Sequence, residues 1–215
     1  MKLTIVYDNE IYKDNPGTSD HGFSCLIETE EKNILFDTGT DGNILLENMK
    51  LLNINPSSID TVVISHEHYD HNGGLSQLLN HLTNPTIYRL EPVGLGSTII
   101  EKKVSAPIQI TPHIISTGRL SGSPVDEQSL LLETKKGLVV LTGCSHPGVG
   151  NILKAAKKQE EVIGIIGGFH GFADFNLLKP LAFIYPCHCT AFKKEIKDMF
   201  SESAFDCGVG LQLTL

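Results

Sequence analysis

The stretch Thr61-Val62-Val63-Ile64-Ser65-His66-Glu67-His68-Tyr69-Asp70-His71-Asn72-Gly73-Gly74 constrains this chain more than any other. An apolar run that opens into three histidines and an aspartate within six residues reads as a buried strand feeding a reactive loop. On an extended strand end, His66 and His68 project to the same side and can grip one metal ion. Asp70 and His71 follow a turn, which aims a carboxylate and an imidazole at a neighbouring point where a second ion can sit. Gly73-Gly74 then lets the backbone swing into a helix. A solvated loop with chance histidines is the bland alternative, and the density of ligand types makes it a poor one.

The rest of the chain reads as one continuous domain, 1–215, without linker, low-complexity tract or short repeat. Strands are expected at residues 2–7, 23–29 and 33–37, followed by a helix spaced on Ile44, Leu45, Met49 and Leu52, then a short helix at 56–58 and a strand at 61–65. A helix at 74–79 and strands at 86–89, 108–110 and 114–117 complete the first half. The second half repeats the grammar, with strands at 129–133, 137–141, 162–166, 182–185 and 209–214 and helices ending near 159 and spanning 191–200. Polar, histidine-bearing loops fall at the carboxyl ends of strands, where α/β folds place their chemistry. Two sheets packed face to face with helices outside is the expected architecture.

Histidine placement adds candidates. His146 lies in the loop 142–148, His170 in Gly167-Gly168-Phe169-His170-Gly171, and His188 in Pro186-Cys187-His188-Cys189-Thr190. The glycines around Phe169 and His170 let a backbone approach a ligand, which marks both for substrate contact and His170 for proton donation. His21, before a strand, is a second substrate-side candidate. Alternation along an extended segment sets His188 apart from Cys187 and Cys189, arguing against a zinc knuckle. Asp37 either caps a turn with Gly39 or accepts a hydrogen bond from a ligating histidine. His81 and His113 have no assigned role.

Seventeen Lys and Arg against twenty-five Asp and Glu give a formal charge of −8, the wrong sign for affinity built on neutralising phosphates. The amino terminus lacks a signal-like apolar run, and no apolar stretch of about 18 residues is long enough for a bilayer. A cytoplasmic protein without nucleic-acid or membrane partners is expected, and five cysteines are expected to be reduced thiols.

These motifs resemble those of the metallo-β-lactamase-fold metallohydrolases, whose signature is H-x-H-x-D-H after a buried strand. Leu35-Phe36-Asp37-Thr38-Gly39 is similar to the family's early D-x-G turn, and Val139-Val140-Leu141-Thr142-Gly143-Cys144 to its later T-G-D element with Cys144 in place of Asp. Pro186-Cys187-His188 resembles the late histidine loop. More narrowly, SHEHYDHNGGL, TGCSHPG, GGFH and PCHCT resemble the branch labelled dihydropterin–ribofuranosylaminobenzene-phosphate synthase-like. The resemblance implies an α/β, four-layer αββα sandwich and two divalent ions, zinc first, with Mn²⁺ or Fe²⁺ also admitted by the ligand types. It implies His66, His68, Asp70, His71 and His188 as ligands, with Asp70 also orienting the nucleophile and Asp37 behind a ligating imidazole; His146, two residues past Cys144, is the nearest candidate for the remaining ligand.

Two departures stand out. The third histidine usual before the T-G-D strand is missing, and Ser123-Pro124-Val125-Asp126-Glu127 occupies the region, leaving His146 and Glu127 as rival replacements. Cys144 is either a thiolate ligand or a small buried hydrophobe. The implied activity is hydrolysis by metal-bound hydroxide of an ester, thioester, lactone or phosphodiester in a small molecule, phosphorylated ones included. A metal-bound sensor without catalysis and a pterin-related synthase or transferase are the alternatives. Only 44 residues separate Cys144 from His188, too few for the extra domain of nucleic-acid-processing members, and His68 stands where flavodiiron members carry Glu.

Overall fold

Both halves of the chain build a sheet by one rule, antiparallel strands first and parallel strands after. The computed structural model describes residues 1–215 in two units, Met1–Val104 with Gly208–Leu215, and Ser105–Cys207. The single stretch 1–215 expected from sequence thus contains two internally dense bodies, the first completed by the last eight residues of the chain.

In the first unit the sheet comprises β1 (Lys2–Tyr7), β2 (Ser24–Glu28), β3 (Asn33–Phe36), β4 (Thr61–Val63), β5 (Thr86–Arg89) and β6 (Ile100–Lys103), with β13 (Gln212–Thr214) beside β1. β13, β1, β2 and β3 pair antiparallel, whereas β3 through β6 run parallel. Parallel neighbours need crossovers. α1 (Gly42–Leu51) with a 3₁₀ turn at Pro56–Ser58 supplies one, and α2 (Tyr69–Asn72) with α3 (Leu75–Leu79) the next. Val6, Leu26, Leu35, Leu45, Met49 and Val62 are among the core residues. The second unit orders its sheet β12-β11-β10-β9-β8-β7. β7 (Ile108–Thr111), β8 (Ile114–Ser116), β9 (Leu130–Thr134) and β10 (Gly137–Thr142) are antiparallel, and β10, β11 (Val162–Gly168) and β12 (Phe183–Cys187) parallel. β10 is buried at every position, the mark of a strand covered on both faces. α4 (Val149–Ala156) and a 3₁₀ turn at Phe175–Leu178 make its crossovers, and α5 (Lys193–Met199) follows β12. No helix is long and apolar enough to cross a membrane.

The differences from sequence expectation have physical causes. β6 was not expected, because Ile100-Glu101-Lys102-Lys103 is charged and mostly exposed; it is an edge strand defined by its pairing with β5. β11 and β12 run on through Gly168 and Cys187, so the loops expected from 167 and 186 begin later. Pro186 is tolerated inside β12 because β12 is an edge. A one-turn helix, α2, stands where a simple turn was expected.

Asn48, fully buried in α1, ties the first unit together. Its Nδ2 donates to the carbonyls of Val6 and Thr18, both at 2.9 Å, and its Oδ1 accepts from Thr18 N–H at 2.7 Å. Asn48→Leu strands three backbone groups and should cost about 2–4 kcal/mol, lowering the thermal midpoint by several degrees. A calorimetric midpoint equal to wild type would show that these bonds contribute nothing net.

Candidate metal centre

In the first unit, the loop after β3 and the loop after β4 are joined by one carboxylate. Asp37, fully buried, accepts from Ser65 N–H at 2.7 Å on Oδ1, and on Oδ2 from Ser65 Oγ and His71 Nδ1, each at 2.7 Å. This sets the direction of each ring. His71 turns Nδ1 to Asp37, so in the neutral imidazole Nε2 is the nitrogen with the lone pair. Ser65 Oγ gives its only hydrogen to Asp37 and therefore accepts from His66 Nδ1 at 2.9 Å, which leaves His66 Nε2 with a lone pair as well. His68 Nδ1 stands 3.2 Å from His66 Nε2, and the rings of His66 and His71 are centred 4.2 Å apart. Asp70 Oδ2 lies 3.6 Å from His71 Nε2 and 3.2 Å from His21 Nε2. The structure thus gathers His66, His68, Asp70, His71, Asp37 and His21 within the unit.

Glu67 points the other way, as alternation between two histidines requires. Arg89, at the end of β5, clamps its carboxylate with Nε and Nη2, and Asn72 donates to it at 2.9 Å. Arg89 also lies 3.6 Å from Glu101. Burial would push the Glu101 carboxyl up, but backbone N–H groups of Val93, Leu95 and Gly94 and the Arg89 charge outweigh it and hold the group below its ordinary range. This clamp behind the histidine loop escaped sequence reading, because nothing local ties residue 67 to residue 89.

The second unit repeats the device. Glu127, fully buried, accepts on Oε1 from the N–H groups of Gly143, Cys144 and Ser145 at 3.0, 3.0 and 3.2 Å and from Thr142 Oγ1 at 3.0 Å. Its Oε2 accepts from His146 N–H at 2.8 Å. As a rival ligand to His146, Glu127 is therefore disfavoured by geometry: its carboxylate is occupied in shaping the loop that carries His146. The His146 ring sits 4.6 Å from the His170 ring, beside a cavity of about 440 Å³ that Ser123, Ser145, Phe169 and Phe172 help line. Phe169 is only 1% exposed and packs in the unit's core, its N–H donating to Thr190 Oγ1 and its carbonyl accepting from Phe172 N–H, so it acts as packing beneath the cavity wall.

His188 is 3% exposed and takes φ 44°, so the segment is not extended there as the sequence suggested. Cys187 donates to Tyr185 O at 3.1 Å, whereas Cys189 reaches Cys144, Sγ to Sγ 3.3 Å. The hydrogen bond with Cys144 holds the Cys189 thiol well below its ordinary range against the opposing effect of burial, helped by His170 and His188.

Seven non-glycine residues have positive φ, and four of them, Asp37, Ser145, His170 and His188, lie in these loops. Each left-handed residue costs roughly 1 kcal/mol or more, and such strain collects where function dictates side-chain aim. The donor set, imidazoles braced through Nδ1 together with a carboxylate, fits divalent zinc-like ions.

Comparison with known proteins places the molecule. The metallo-β-lactamase superfamily profile matches residues 17–154, well over half of the chain, and the chain belongs to that superfamily. It has the family's α/β fold, with one mixed sheet in each unit. The 7,8-dihydropterin-6-methyl-4-(β-D-ribofuranosyl)-aminobenzene-5'-phosphate synthase of Methanocaldococcus jannaschii is 32% identical over 269 residues, covering 94% of this chain and 91% of the relative. The crystal structure of a metal-dependent hydrolase of the β-lactamase superfamily superposes with TM-score 0.78 at 28% identity, covering 100% of this chain and 99% of the other. Human short-form tRNase Z (TM-score 0.68, 14% identity, covering 100% and 99%) shares the fold.

Glu127→Ala removes the common acceptor of four consecutive amides. Stability should fall by about 3 kcal/mol or more, and hydrogen exchange at Gly143 to His146 should rise at least about tenfold. Unchanged protection at those amides would refute the organising role of Glu127.

Proposed function

We propose that this protein is a metal-dependent hydrolase acting on a small-molecule ester, thioester, lactone or phosphodiester. The observation that carries the reading is the pair of imidazoles, His66 and His71, each held by a buried partner so that Nε2 keeps its lone pair. Purely structural histidines do not need two such nitrogens set beside a carboxylate. His66, His68, Asp70 and His71 are the proposed ligands from the first unit, and His146 and His188 those from the second. Two divalent ions, zinc before Mn²⁺ or Fe²⁺, suit this set. When bound, they supply Lewis acidity toward the scissile oxygen and acidify water.

The chain's own residues do the rest. Asp37 keeps His71 in one tautomer and orientation as its ligand nitrogen is used. Asp70, with His21 Nε2 at 3.2 Å, orients the nucleophile and couples it to a group that can bind substrate. His170, exposed beside His146, donates a proton to the leaving group. A formal charge of −8 supports a small molecule over a nucleic acid as substrate. A second reading, a synthase acting on a phosphorylated ribofuranosylaminobenzene and a pterin, draws support from the 32% identity to the archaeal synthase.

Purification without added metal, elemental analysis and a panel of the four substrate types test the reading. His66→Ala and His68→Ala should each lose metal and activity while circular dichroism stays as in wild type. His146→Ala should weaken metal binding about 10- to 100-fold. Full metal content in the His66 and His68 variants would sink the ligand assignment, and a metal-replete protein inert on the whole panel would move the balance to the synthase.

A further inference from the structure

Cys144 and Cys189, neither of them in a disulfide, lie on separate loops of the second unit with sulfurs 3.3 Å apart. A disulfide needs about 2.05 Å between sulfurs, so the two must close by a further ~1.2 Å. The proximity is built in. Gly168 N–H donates to Gly143 O at 2.9 Å, and Ser145 Oγ donates to Gly168 O at 2.7 Å, fixing the Cys144 loop against β11. Phe169 N–H donates to Thr190 Oγ1 at 3.0 Å, and Thr190 Oγ1 to Cys187 O at 2.7 Å, fixing the Cys189 loop beside it. A Cβ at residue 168 would stand 2.6 Å from Cys189 Sγ, so the glycine is what admits the sulfur. Access is unequal: Cys144 is 1% exposed, whereas Cys189 is half-buried. Cys187, next but one in sequence, is buried and turned to Tyr185 O.

We propose that Cys144 and Cys189 form a redox-modification site, oxidised by a hydroperoxide to a disulfide that ties the loop carrying His146 to the loop carrying His188. Cys189 Sγ, its proton given up, attacks the terminal peroxide oxygen, the O–O bond breaks, and the leaving alkoxide takes up one proton to depart as the alcohol, giving a sulfenic acid. Cys144 Sγ attacks that sulfur and expels hydroxide, which takes the Cys144 proton and departs as water. Two thiols and one hydroperoxide become one disulfide, one alcohol and one water. Exposure of Cys189 selects it as the first sulfur attacked, and the buried Cys144 resolves it. The expected loss of hydrolysis rests on the hydrolase reading, because it acts through the loops of two proposed ligands; the covalent chemistry does not.

The test treats reduced, purified wild type with hydrogen peroxide and maps unreduced tryptic peptides by mass spectrometry. The expected product joins the Cys144 and Cys189 peptides with loss of two hydrogens, and a dithiol reductant reverses it. Cys187 and Cys189 share a tryptic peptide, so Cys187→Ser must retain the link and Cys189→Ser must abolish it. A link that persists in Cys189→Ser overturns the proposal. So does wild type in which Cys144 stays open to alkylation while Cys189 passes to sulfinic acid. Hydrolysis lost on oxidation and restored on reduction is the accompanying readout. Untreated protein without hydrolysis counts against the hydrolase reading alone, since the peptide map still decides the disulfide.

Discussion

Two buried carboxylates, Asp37 and Glu127, organise everything that gives this molecule chemistry. An ionised carboxylate withdrawn from water is costly unless several donors meet it. Loops leaving the ends of parallel strands have the complementary need, because their amide groups have lost the sheet's acceptors. Each carboxylate answers both. Asp37 gathers Ser65 and His71; Glu127 gathers the amides of residues 143–146. Without them, the loops would lose the acceptors that gather their donors, and the restraints that remain, Arg89 on Glu67 and Ser145 on Gly168, would fix the side chains less closely.

That aim is what function demands, and it has an energetic cost. Asp37, Ser145, His170 and His188 all occupy left-handed backbone, which relaxed loops of the same length avoid. The sheets around them tolerate this because β4 and β10 are fully buried and β11 nearly so, the kind of apolar scaffold that can absorb a few kcal/mol of strain at its rim. Arg89 adds a second restraint behind the first histidine loop by holding Glu67 away from the imidazoles. The same tight loop packing brings Cys144 to Cys189, so a structure that fixes ligands also sets up a pair of thiols for oxidation.

Much of this was legible in the sequence where the signal is local. The run from Thr61 to Gly74, the D-T-G turn at residues 37–39 and the histidine loops at 146, 170 and 188 follow buried strands, and hydrophobic runs mark such strands by themselves. β6 was not legible, because a charged edge strand is recognised only by its partner. Glu127 was read as a rival metal ligand, since its residue type fits and its five donors are at least fifteen residues away.

The sequence by itself determined that this is an α/β protein of the metallo-β-lactamase superfamily with a histidine-rich set of ligand types, because those facts are carried by periodicity and by motifs a few residues long. Only the tertiary structure decided which nitrogen of His66 and His71 is turned to a buried partner, that Glu67 turns to Arg89, and that Cys189 turns to Cys144 and not to Cys187. These are choices between near-equal local conformations. They are made by partners distant in the chain, whose approach depends on how the strands pair.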